Sequence, residues 1–117
     1  MRVYETDRAV VIIRKKQPYL DWIKRIPGFN LDVTLAEMNH EPTCYLIPAS
    51  ESDATLMNFM RKNCVFLFEQ QLNESWTDQN DWEEDLNWKK FKQWFDIELI
   101  SLPFDLGKYG ISRNELE

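Results

Sequence analysis

The chain has 117 residues, a net charge of −6 and 44% hydrophobic residues, enough to bury a core without metal or disulfide staples. Three glycines and five prolines exclude a low-complexity chain, and no apolar run approaches the roughly 20 residues of a membrane span. The acidic balance argues against nucleic-acid binding as the main role, since neutralising phosphates needs the opposite sign.

The charge is segregated along the chain. Residues 1–25 hold seven Arg/Lys against three Asp/Glu, a net of +4, whereas residues 26–85 hold two against twelve, a net of −10. A basic protein surface is the complementary partner for such a middle, through steering more than raw affinity. Solubility alone is the plainer reading of the same charge. The charged N-terminal residues, Met1 to Arg8, have no apolar signal-type segment after them. Together with two widely spaced cysteines, this predicts a cytoplasmic protein with reduced thiols, no membrane partner and one domain over 1–117.

The first predicted element is a strand over 9–16, "AVVIIRKK", whose unbroken apolar run suggests cover on both faces. A short helix follows over 17–28, with Pro18 in its first turn, Leu20, Trp22, Ile23 and Ile26 as its apolar contacts, and Pro27-Gly28 as its stop. Thr34 with Glu37 has the form of a capping box and predicts one or two helical turns. The second strand, 43–49, ends at Pro48.

From Asp53 to Leu72 the spacing predicts the longest helix. Its stripe is Met57, Met60, Cys64, Leu67, Phe68 and Leu72, and Phe59 and Phe66 lie off it. The aromatic-rich stretch "DWEEDLNWKKFKQWFDIELI", 81–100, divides in two. Asp85 or Asn87 caps a helix that carries Trp88, Phe91, Trp94 and Phe95 on one side and Lys89, Lys90, Lys92 and Gln93 on the other. Its second part is a strand from Phe95 or Asp96 towards Pro103, expected to be central because it is apolar on both sides. The predicted class is α+β: at least three strands in a small sheet with helices packed on it, in the order β-α-α-β-α-α-β. Strand order and pairing direction stay open.

Three stretches, "IIRKKQPYLDWI" (12–23), "EPTCYLIPASESD" (41–53) and "FKQWFDIELISLPFDL" (91–106), carry a resemblance. As a set they resemble a family of small acidic bacterial proteins with the patterns Lys-Gln-Pro-Phe-Leu-Asp-Trp, Pro-Thr-x-Tyr-Leu-Ile-Pro and Trp-Phe-Asp-Val-Glu. The resemblance covers most of the chain. It implies a shared fold and brings no activity with it. Relatives of that family often have histidine where this chain has Ile100, so chemistry resting on that histidine does not carry over.

Few residues suggest chemistry. The single histidine, His40, sits in a loop, and Cys44 and Cys64 lie twenty positions apart without metal-ligand spacing, so no metal or other cofactor is expected. A Cys44–His40 pair is conceivable, against the commoner outcome that a thiol in an apolar pattern is buried and inert. Asp96 and Glu98 share one face of a strand and need a partner or exposure, because an unpaired buried carboxylate costs several kcal/mol. No glycine-rich phosphate loop occurs.

The strongest anomaly is "TDQNDWEED", 77–85. Asp78, Asp81, Glu83, Glu84 and Asp85 come without an intervening base, and Trp76 and Trp82 flank or interrupt them. An EF-hand is disfavoured, since Trp82 holds the fifth ligand position and Glu83 the place of the glycine. Two readings stand. The tryptophans and acids form a contact surface for Arg or Lys, or both indoles fold inward over the long helix while the acids stay wet. The leading functional expectation is a non-enzymatic, acidic protein-interaction module of regulatory, antitoxin-like or immunity-like type. The alternative is a small enzyme or ligand-binding domain with a site near Asp96, Glu98 and Cys44. A homo-oligomer is compatible with the sequence but not indicated by it.

Overall fold

A computed structural model, which describes residues 1–116, shows an α+β protein. In chain order it comprises β1 (Tyr4–Glu5), β2 (Arg8–Lys15), α1 (Gln17–Arg25), α2 (Leu35–Met38), β3 (Thr43–Pro48), α3 (Asp53–Lys62) and α4 (Cys64–Ser75). A 3₁₀ turn (Gln79–Asp81), α5 (Trp88–Trp94), β4 (Phe95–Ile100) and β5 (Phe104–Asp105) complete it. β2 is the middle of a three-stranded antiparallel sheet in the order β3-β2-β4, and β1 and β5 pair in a separate two-stranded ribbon.

β2 alternates strictly. Ala9, Val11, Ile13 and Lys15 are buried, while Arg8, Val10, Ile12 and Arg14 are only half-buried. The strand is therefore not covered on both faces as its apolar run suggests. One face lies under the helices, and the other carries isoleucine and valine towards solvent between two arginines. β4 is corrected more sharply: it is an edge strand, not a central one. Its exposed positions are Asp96, Glu98 and Ile100, and Phe95, Ile97 and Leu99 turn towards the core. Glu98 needs no central burial because it sits on the open face beside Arg14, 2.6 Å away.

The core is aromatic. Phe68 from α4 meets Phe91, Trp94 and Phe95 with ring centroids 5.8, 5.2 and 5.1 Å apart, and Tyr19 of α1 lies 5.2 Å from Trp22 and 5.8 Å from Phe95. These separations and tilts suit the ring quadrupoles. The helical stripes behind them follow the predicted spacing except at the start of α3, where Leu56 is fully buried and the expected Met57 only partly so. The capping groups do too: Thr34 accepts from the Glu37 amide and Asn87, not Asp85, accepts from the Lys90 amide.

One long helix becomes two. At Asn63 the backbone leaves helical geometry, with ψ at 13°, and its side-chain amide donates to the Phe59 carbonyl at 2.9 Å. The Asn63 backbone amide donates to the same carbonyl at 3.1 Å, so both donors of Asn63 close the end of α3, and α4 starts at Cys64. Phe59 packs partly against the core, whereas Phe66 is exposed.

Candidate functional site

The acidic loop begins where α4 ends. Trp76 closes the helix through its amide, which donates to the Leu72 carbonyl, and its indole N–H donates to the Asp81 carboxylate at 2.9 Å. Trp82 folds back so that its indole donates to the Trp76 carbonyl at 2.7 Å. Trp22, on α1, donates to the carbonyl of Asp81 at 2.9 Å. Asp81 thus accepts from two tryptophans, one through its side chain and one through its backbone. Trp76 and Trp82 are partly buried and packed against the core. Of the two readings of these residues, the indoles take the inward one.

The acids divide by what they touch. Asp78 caps the 3₁₀ turn by accepting from the Asn80 amide. Glu83 lies 3.6 Å from Lys90 Nζ, which also donates to the Glu84 carbonyl at 2.6 Å. Asp85 takes the left-handed conformation at φ 55°, a turn that Asp tolerates better than most residues. The side chains of Glu84 and Asp85 are exposed and make no ion pair among the described residues. A shallow cleft separates Asp81, Trp82, Glu83 and Glu84 from Arg25 and Pro27 at the end of α1. Gly28, next to Pro27, has φ at 96°, a left-handed conformation in which a side chain would be strained.

The residues of the alternative reading share the open face of the sheet. Ile12 pairs with Cys44 on one side and with Glu98 on the other, so Cys44, Ile12 and Glu98 form one row. Two strand spacings separate Cys44 from Glu98, about 10 Å, with the Ile12 side chain between them. Asp96 lies 3.7 Å from Lys16. The three residues do not converge. Cys44 is exposed, against the expectation of a buried thiol, while Cys64 is buried. The edge position of β3 and the one-sided cover of the sheet account for the difference. His40 is exposed and makes no side-chain hydrogen bond among the described residues. Among those residues no group of three or more His, Cys, Asp or Glu is placed to hold a metal ion, and no helix is long and apolar enough to cross a membrane.

A polar network between sheet and α4 escaped the sequence reading. Lys15, 9% exposed, donates to Gln71 at 3.3 Å and to Glu74 at 3.2 Å. Fully buried Gln71 donates to the Tyr45 hydroxyl at 3.0 Å, and Thr43 donates to Glu74 at 2.7 Å. The Tyr19 hydroxyl, also fully buried, bonds the Gln71 carbonyl and Ser75 Oγ, each at 2.6 Å. Burial pushes the Tyr19 hydroxyl above its ordinary pKa, and the same cause raises Tyr45. The signal available in the sequence was parity: Lys15 follows Ala9, Val11 and Ile13 at intervals of two. Each polar side-chain atom buried there is hydrogen-bonded, which fits a network that fixes packing.

Compared with known proteins, the chain matches no family model, no curated protein and no solved structure.

Proposed function

We propose that this chain is a non-catalytic interaction module, regulatory, antitoxin-like or immunity-like in type, whose acidic middle meets a basic protein surface. One observation carries the reading. Of the twelve acids between residues 26 and 85, only Glu74 and Glu83 meet a basic side chain among the described residues. A surface left so little neutralised raises the local concentration of a cationic partner and speeds its docking. The contact set proposed from the sequence, Trp76, Asp78, Asp81, Trp82, Glu83, Glu84 and Asp85, narrows on this reading. Glu84 and Asp85 supply the free charge, and Trp76, Asp81 and Trp82 hold the loop in shape.

The enzyme alternative finds less support, because Ile12 stands between Cys44 and Glu98 and Arg14 holds the Glu98 carboxylate. The resemblance to small acidic bacterial proteins rests on stretches that form β2 with α1, β3, and α5 with β4. Those stretches speak to a shared fold and leave the activity to experiment. The test is retention of a basic protein from native lysate on the immobilised chain, eluted stepwise with salt. Binding that resists salt and ignores charge reversal at Glu84 and Asp85 would defeat the proposal.

A further inference from the structure

The hydrogen-bond parity of the sheet identifies which backbone groups face its free edges. The Ala49 amide donates to the Asp7 carbonyl. In an antiparallel ladder bonded pairs alternate, so Ala9–Ile47, Val11–Tyr45 and Ile13–Thr43 are the bonded pairs of β2 and β3. The amides and carbonyls of Cys44 and Leu46 therefore point away from β2, and they have no hydrogen-bond partner among the described residues. By the same reasoning from the Lys16–Trp94 bond, β4 turns the backbone groups of Ile97 and Leu99 outward.

We infer that β3 pairs antiparallel with β3 of a second copy of this chain, about a two-fold axis through Tyr45. In that register Cys44 of each copy exchanges both backbone hydrogen bonds with Leu46 of the other, and Tyr45 faces its own counterpart. Pro42 and Pro48, three residues either side of Tyr45, fall opposite each other, so the groups lacking N–H lie beyond the ladder. Shifting the register by two residues in either direction would set a proline against Cys44 or Leu46 and lose an amide donor.

Charge selects this edge over the other. No charged residue occurs between Glu41 and Glu51 in an otherwise acidic chain. Pairing β4 with itself through Ile97 and Leu99 would instead set Glu98 directly against Glu98, a destabilising like-charge pair. β3 carries no lysine or bulge, and the prolines that blunt its edge, Pro42 and Pro48, stand only at its two ends. On the open face Leu46, 52% exposed, and the exposed Cys44 continue the apolar surface of Val10 and Ile12 across the two-fold axis. The product is a six-stranded sheet.

The dimer is independent of the proposed acidic contact, and salt separates them. Two chains of net charge −6 repel each other, so added salt strengthens the dimer while it weakens docking of a basic partner.

Sedimentation equilibrium of the full chain up to a few hundred micromolar tests the proposal, using C44E/L46E and C44K/L46K as variants. Both positions are solvent-exposed. Wild type dimerises, each double variant alone is monomeric because like charges oppose across the axis, and an equimolar mixture of the two restores a dimer. A wild type that stays monomeric, a dimer that survives in either double variant alone, or a mixture that stays monomeric overturns the proposal. Hydrogen exchange on the wild type needs no variant. Raising the concentration should slow the Cys44 and Leu46 amides at least about tenfold and leave those of Ile97 and Leu99 unchanged. Equal behaviour of the two edges overturns it.

Discussion

The indole N–H of Trp76 donates to the carboxylate of Asp81 at 2.9 Å, while the carbonyl of the same aspartate receives the indole of Trp22. One acid therefore ties the exit of α4 to α1. A residue that reads as part of a charged surface is the anchor of the loop that bears that surface. Asp81→Ala leaves a partly buried indole donor unpaired and should cost about 1–3 kcal/mol in urea denaturation followed by tryptophan fluorescence. Asp81→Asn keeps an acceptor and should cost less. Equal stability of the alanine variant and the wild type would mean that the loop is held by packing alone.

Placement of the strands gives a second prediction. Ile13 is fully buried on the central strand, whereas Ile100 sits on the open face of an edge strand. Ile13→Asp should abolish folding or solubility, because it buries an unpaired charge. Ile100→Asp should stay folded with a melting temperature within a few degrees of wild type. Thermal denaturation by circular dichroism distinguishes the two, and equal damage from both would contradict the order β3-β2-β4.

The buried lysine yields a third. Lys15→Met keeps the aliphatic stem and lets the half-exposed Glu74 rehydrate, but it leaves the fully buried Gln71 Oε1 without its donor, so it should cost about 1–3 kcal/mol. In a Gln71→Leu background that acceptor is gone, and Lys15→Met should then cost about 1 kcal/mol or less. Chemical denaturation of the two single variants and the double variant reads this coupling. Equal costs of Lys15→Met in both backgrounds would show that the Lys15–Gln71 bond contributes nothing.

Much of this was legible in the sequence where the signal is local. Of the stripe Met57, Met60, Cys64, Leu67, Phe68 and Leu72 all but Met57 are buried, and with the caps at Thr34 and Asn87 they follow from spacing and side-chain chemistry within one or two turns. Strand placement is non-local. "FDIELI" reads as central because isoleucine and leucine occupy both faces, yet only the pairing of β2 with both neighbours shows that β4 has a free side. Lys15 was hidden by reading 9–16 as one apolar run, which discards the period of two that assigns it to the buried face. The break at Asn63 interrupts a stripe that continues across it, so hydrophobic periodicity could not reveal it. For the acidic loop, composition allowed outward or inward tryptophans, and the choice depends on the Asp81 carboxylate and the Trp76 carbonyl as acceptors, which composition does not locate.

Alkaline pH supplies a fourth prediction. Burial raises the Tyr19 hydroxyl above its unfolded value near 10. The folded state therefore keeps a proton that the unfolded chain loses first. Stability contributed by this group is complete below pH 10 and declines as pH rises from there towards the folded pKa, at up to about 1.4 kcal/mol per pH unit. Tyr45, shifted in the same direction, adds to the decline. Tyr19→Phe should be less stable at pH 8, from loss of the bonds to Gln71 and Ser75, and should lose stability less steeply above pH 10. Parallel stability–pH curves for variant and wild type would remove Tyr19 as the source.

The central claim is that unneutralised acid on this chain governs docking of a basic protein, and the association rate of the captured partner as a function of ionic strength tests it most directly. The account predicts an association rate that falls as salt rises, and a slower rate with a shallower salt dependence after Glu84→Lys and Asp85→Lys in a folded chain, with dissociation little changed. An association rate that is indifferent both to salt and to those reversals would contradict it.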